Sequence, residues 1–201
     1  MSFHRIVESV SIPVEISARY FTAFLKLKCA PDLLRFFKGS DAKEITESFA
    51  AYRAAVTVLG RARLKDGSVV CLVPGDGKRP RTGAVVAFRS AWQVHSVDPI
   101  QIWMPGVERL FQHPTRVEHL DPIDCQGSAG VVLAVHSHAN LSAAVSKLTN
   151  WSSLVVIAIP CCVPQELVIG GVHHHTVNEK RDPGIFSEKN MVKTWHIMRA
   201  K

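Results

Sequence analysis

Two unbroken apolar stretches, residues 130–135 and 154–159, constrain this chain more than anything else in it. Strict alternation of apolar and polar residues would let one sheet face meet water. A run with no polar position needs cover on both faces, the environment of a parallel strand between layers of helix. Both runs stay under the length that crosses a bilayer as a helix, and no membrane partner is expected.

The rest of the pattern extends that reading. Strands are predicted over 68–73, 92–97, 115–120, 166–169 and 191–198, with a further short one over 4–14. Asp41 and Glu44 form a capping-box pair opening a helix that carries Ile45, Phe49, Tyr52, Val56 and Leu59 and stops at Gly60. Helices are also predicted from Pro80 to Ser90, over 106–111 and over 141–148. Strands alternating with helices predict an α/β fold, a doubly wound, mostly parallel sheet. No helical pattern separates 166–169 from 191–198, so these two strands are expected to close the sheet as an antiparallel edge hairpin. Residues 17–38, aromatic-rich and split by Pro31, read as two short helices. The expected organisation is an extension over 1–40 packed on one domain over 41–201.

At 201 residues the chain holds one sizeable core. The first residues contain Glu8 and no apolar block, so no secretory leader is expected. Five cysteines, two of them adjacent (Cys161 and Cys162), make a poor disulfide framework and favour an intracellular, cytoplasmic or nuclear setting. The net charge of +7 favours polyanionic partners.

In open α/β sheets, ligands bind beyond the carboxyl ends of the strands, where strand order reverses. The first such end reads Pro74-Gly75-Asp76-Gly77-Lys78-Arg79-Pro80-Arg81. Its glycines let backbone approach a ligand, the following helix start favours anions, and Lys78, Arg79 and Arg81 add charge. A solvated basic corner is the plainer alternative. The second end places Asp98 21 positions after Gly77, a spacing suited to ribose hydroxyls. The third, His136-Ser137-His138, offers an acid, a base or a metal ligand, or else one histidine satisfied by backbone and one capping the helix. The fourth, Pro160-Cys161-Cys162, offers a nucleophile, a metal pair or plain packing residues.

Taken in order, these four ends resemble the Rossmann-like S-adenosylmethionine-dependent methyltransferases, over residues 41–201. The resemblance implies that Pro74, Gly75, Asp76 and Gly77 hold the methionine part of the cofactor and that Asp98 binds its ribose. It implies that Asp121 or Asp124, after the third strand, meets the adenine. The polar loops after the fourth and fifth strands would face the methyl acceptor, with Cys161 and Cys162 among the acceptor contacts. His136-Ser137-His138 followed by Cys161-Cys162 is similar to a histidine and double-cysteine branch that includes tRNA 2′-O-methyltransferases. The family's acidic residue before the first glycine is Val73 here, its third glycine is Arg79, and no D/N-P-P-Y tetrapeptide follows the fourth strand.

The resemblance implies an S-adenosylmethionine-dependent enzyme acting on a polyanion, RNA foremost, with His136 or His138 as base and Lys78, Arg79 and Arg81 against the acceptor. A catalytically degenerate module that binds nucleic acid, a nucleotide or a protein is the alternative. Three consecutive histidines, 173–175, alternate in direction if extended, so no metal site is assigned. Trp92, Trp103, Trp151 and Trp195 are assigned to packing. Residues 177–190 read as a binding loop or a disordered one.

Overall fold

The computed structural model describes residues 17–161 and 166–199. The strand expected over 4–14 lies outside the described residues, as does Cys162. The sheet contains β1 (Val70–Pro74), β2 (Gln93–Val97), β3 (Leu110–His113), β4 (Ala129–Val135), β5 (Ser153–Ile159), β6 (Asn178–Arg181) and β7 (Met191–Met198). Their spatial order is β6-β7-β5-β4-β1-β2-β3. Every pairing from β5 through to β3 is parallel, whereas β7 runs antiparallel to both β5 and β6. The chain builds outward from β1 to β3 and then returns to lay β4 on the other side of β1. Strand order therefore reverses between β1 and β4, and the fold is a Rossmann-like doubly wound α/β sheet with an antiparallel C-terminal edge.

The two apolar runs explain the centre. All seven residues of β5 are buried, as are the first six of β4. The helix α3 (Ala42–Leu59) covers one face, its start fixed by reciprocal bonds between Asp41 and Glu44 and its end by Gly60 at φ 86°. Because α3 leads into β1, it runs back across the sheet and sets its first turns at the carboxyl edge. Next to it pack α1 (Arg19–Leu25), α2 (Ala30–Leu34) and α4 (Arg81–Arg89). Phe24 meets Phe49 edge-on at 5.8 Å between ring centres, and Leu33 and Phe36 are fully enclosed. Exposing those three side chains would cost roughly 5–9 kcal/mol, comparable with a whole domain's stability, so this N-terminal layer is integral to the core. The opposite face is thinner, covered by α5 (Leu141–Ser146) and a small hairpin, Leu167–Ile169 with Val172–His174.

Five sequence expectations need correction. Residues 106–111 do not form a helix: the end of that stretch opens β3, and 115–120 holds only the short 3₁₀ turn Val117–His119. A bulky run, Leu110-Phe111-Gln112-His113, was hidden by a helix-like spacing and a nearby glycine. Residues 166–169 do not pair with β7 but fold locally, because Gly170-Gly171, both at positive φ, turn the chain straight back. The partner of β7 is β6, which lies inside the expected loop and is exposed along its whole length. An edge strand facing solvent needs no apolar alternation, so it carries no sequence signal. Finally, Trp103 is not packed but 70% exposed, whereas Trp92 and Trp195 are core residues.

Candidate functional site

The carboxyl ends of β1, β2, β4 and β5 share one edge of the sheet. A cavity of about 440 Å³ opens there, lined by Gly75, Asp98, Glu118, His136 and His138, with Val97, Pro99 and Val117 supplying apolar wall. Its size falls within the range of small-molecule sites.

The turn after β1 is built by internal bonds. Gly75 adopts φ +66°, donates its N–H to the Val97 carbonyl at 2.7 Å, and passes so near β4's loop that a Cβ would lie 2.5 Å from Ser137 Oγ. Gly77, also at positive φ, donates its N–H to Asp98 Oδ2 at 3.0 Å, while the Ile100 N–H donates to Oδ1 at 3.0 Å. Asp98 thus ties the glycine turn to β2 and still stands on the cavity wall. Pro74 ends β1 in register with Val97 and is buried.

Asp76, expected as a cofactor contact, is mostly buried and does not line this cavity. It accepts from the Thr82 and Gly83 N–H groups at 2.9 Å each and from the Ser96 hydroxyl at 2.8 Å, capping α4 in place of Pro80. Burial pushes its carboxyl up to about 6, against those three hydrogen bonds. Val73, where the resembled family carries an acidic residue, is buried within β1.

The basic run is likewise absorbed. Arg81 pairs with Glu44 and donates to Ser40 Oγ at 2.8 Å. Arg79 donates to the Arg35 carbonyl at 3.2 Å and lies along Met104. Both clamp the N-terminal helices to α4, and only Lys78 is exposed. Asp121 and Asp124 are outside the cavity as well. Asp124 accepts from the Gln126 N–H in a turn leading into β4, at the far edge of the sheet. The acidic residue that does reach the cavity after β3 is Glu118, missed because the third strand was expected over 115–120.

The loop after β4 is different in kind. His136 holds φ +48°, a conformation few side chains adopt outside glycine. Its Nε2 lies 2.8 Å from Glu47 Oε1, a carboxylate 4% exposed in the second turn of α3. The Glu47 carboxylate beside it pushes the imidazole's pKa up, against burial. Cys161 adds to that upward push, and its Sγ lies 3.2 Å from His138 Nε2. The structure therefore brings His136, His138 and Cys161 together beside Gly75 and Asp98. Glu47 escaped sequence reasoning. The available signal was the polar run Thr46-Glu47-Ser48 among the buried positions of a helix whose start must lie at the carboxyl edge.

Among the described residues no group of three or more His, Cys, Asp or Glu side chains converges to hold a metal ion. His173 is exposed, and the His174 carbonyl accepts from Trp195 Nε1 at 2.9 Å. Among the described residues no helix is long and apolar enough to cross a membrane.

No family model matches the chain, and no curated protein matches it. Several solved structures align with it, two of them as follows. A protein of Anaeromyxobacter dehalogenans described as a candidate type II methyltransferase aligns at 16% identity and TM-score 0.33, over 53% of this chain and 46% of that one. The chain thus spans under half of that protein's length. A glutamate-to-glutamine mutant of MtNAS aligns at 11% identity and TM-score 0.45, over 94% of this chain and 71% of that one. The fold class rests on the strand order and not on these alignments.

Proposed function

We propose that this chain is an S-adenosylmethionine-dependent methyltransferase acting on a polyanionic acceptor, RNA foremost. One observation carries the proposal: the cavity at the strand-order reversal is walled by the glycine turn, Asp98, Glu118 and an imidazole held by a buried carboxylate. Two carboxylates suit the hydroxyl and amino donors of a nucleoside, and the flanking Val97, Pro99 and Val117 suit its flat ring. The bound cofactor would supply an electrophilic methyl group. The protein's part is then alignment and removal of one proton. His136 fits that second task, since Glu47 fixes its ring and supports the positive charge it would gain. The net charge of +7 supports a polyanionic acceptor.

A second reading is favoured by the buried Asp76 and by Val73: a methyltransferase-like module without catalysis, binding a nucleotide, nucleic acid or protein. Calorimetry with S-adenosylmethionine and its demethylated product separates the two. Micromolar binding of both is expected of the enzyme. Absence of binding to either overturns the enzyme reading in favour of the module.

A further inference from the structure

We propose that Cys161 is a nucleophilic thiol, a modification site for soft electrophiles and peroxides beside two histidines that line the cavity. This inference stands on the geometry of β4 and β5 and does not require the methyl-transfer reading.

The constellation is a nucleophile, a base and a group that orients the base. Cys161 leaves β5 through Pro160 with its Sγ 3.2 Å from His138 Nε2. The thiol also lies 3.8 Å from the carbonyl of His136, whose Nε2 stands 2.8 Å from Glu47 and whose pKa Cys161 helps to raise. Two imidazoles beside one sulfur favour the thiolate, the form that reacts. The other described cysteines lack this setting. Cys71 is sealed inside β1, where burial drives its thiol strongly up, and burial likewise pushes Cys125 up to about 11. Cys29 is half-buried at the start of α2.

The chemistry balances without a cofactor. An imidazole takes the thiol proton, and the sulfur displaces iodide from iodoacetamide, forming S–C as C–I breaks. With hydrogen peroxide the sulfur attacks one oxygen, S–O forms as O–O breaks, and the departing hydroxide takes the imidazolium's proton as water. A sulfenic acid remains. Since His136 and His138 line the cavity, an adduct on the sulfur between them intrudes on the space a ligand would use.

The test is site-resolved alkylation of the full chain by iodoacetamide at pH 7, mapped by mass spectrometry. A Cys162→Ser variant separates the adjacent thiols. Imidazoles beside a thiol raise its thiolate fraction by more than they dull each thiolate, so Cys161 should react about threefold faster than Cys29. Cys161 should also react faster in the folded chain than in urea, while Cys71 and Cys125 react only in urea. The His136→Gln/His138→Gln double variant should remove the excess rate. A Cys161 no faster than Cys29, or slower folded than unfolded, overturns the proposal, and the folded-to-unfolded ratio needs no variant. Peroxide should leave a sulfenic acid at Cys161 that a 1,3-dione traps, and its absence there also counts against the site. If unmodified protein binds no S-adenosylmethionine while Cys161 keeps its excess rate, the methyltransferase reading falls and the reactive thiol stands.

Discussion

The turn after β1 and the loop after β4 face each other across one cavity, but they use their polar groups in opposite ways. In the first, charge is conspicuous in sequence and committed in structure. Asp76 caps α4, Arg81 is paired with Glu44, and Arg79 lies against Arg35 and Met104. In the second, His136 combines a positive φ with an imidazole set against Glu47, and the neighbouring end of β5 brings a thiol to His138. Local strain persists only where surrounding structure enforces it, so a residue held at positive φ on a cavity wall is a better pointer to a candidate site than net charge is. A basic run at a helix start is thus poor evidence for an anion site until its partners are known.

Substitutions on the two sides should separate scaffold from site. The largest effect is expected at their contact point. Gly75→Ala places a Cβ 2.5 Å from Ser137 Oγ at a φ of +66°, and should cost about 2–5 kcal/mol in denaturant unfolding. A cost under about 0.5 kcal/mol, the level of an ordinary surface change, would mean that the turn and loop are not locked together.

Asp76 comes next. Its folded pKa of about 6 lies above the ordinary 3.8, so between those values the native state holds a proton that the unfolded chain has released. Stability from this group falls as pH rises from about 4 to about 6 and is flat above, a change of roughly 3 kcal/mol. Asp76→Asn should remove that slope, and a slope that survives would assign it elsewhere.

Asp98→Ala releases the Gly77 and Ile100 N–H groups and removes a cavity-wall acceptor. S-adenosylmethionine binding should weaken by about 1–3 kcal/mol in calorimetry. Equal affinity in the variant would remove Asp98 from the ligand site.

Glu47→Gln is a smaller change in stability and a sharper one in titration. Because Glu47 raises the His136 pKa, the pair's contribution is full below the unfolded value of 6.5 and is lost as pH rises through the folded one. With His136 partly exposed, that contribution is at most about 1 kcal/mol. NMR titration should show the His136 pKa falling in Glu47→Gln, and the pH–rate profile of methyl transfer should move with it. An unmoved titration would reduce Glu47 to packing.

The smallest effect is expected where the charge is densest. Replacing Lys78, Arg79 and Arg81 together should change the log–log salt slope of RNA binding by about one or less, since two of the three are engaged within the protein. A drop of about three would show that all three meet phosphates and that the internal contacts yield to the ligand.

Much of this was legible beforehand, for identifiable reasons. The capping box of α3, the two buried strands and the turn at Gly75 each follow from local chemistry that neighbours only reinforce. His136, His138 and Cys161 meet because parallel strands place their carboxyl ends on one edge. Glu118 was missed through a misplaced third strand, and β6 was missed because its four exposed residues have no apolar face to announce them.

The sequence alone determined the order of elements, the parallel centre of the sheet and the edge at which polar loops gather, because periodicity and turn chemistry are local properties. Tertiary structure alone decided which polar groups were left to act. Asp76, Arg79 and Arg81 found partners 6 to 44 residues away, and Glu47 reached His136 across the sheet edge. Whether a charge is consumed or available depends on what the fold sets within about 3 Å of it, and no local pattern encodes that distance.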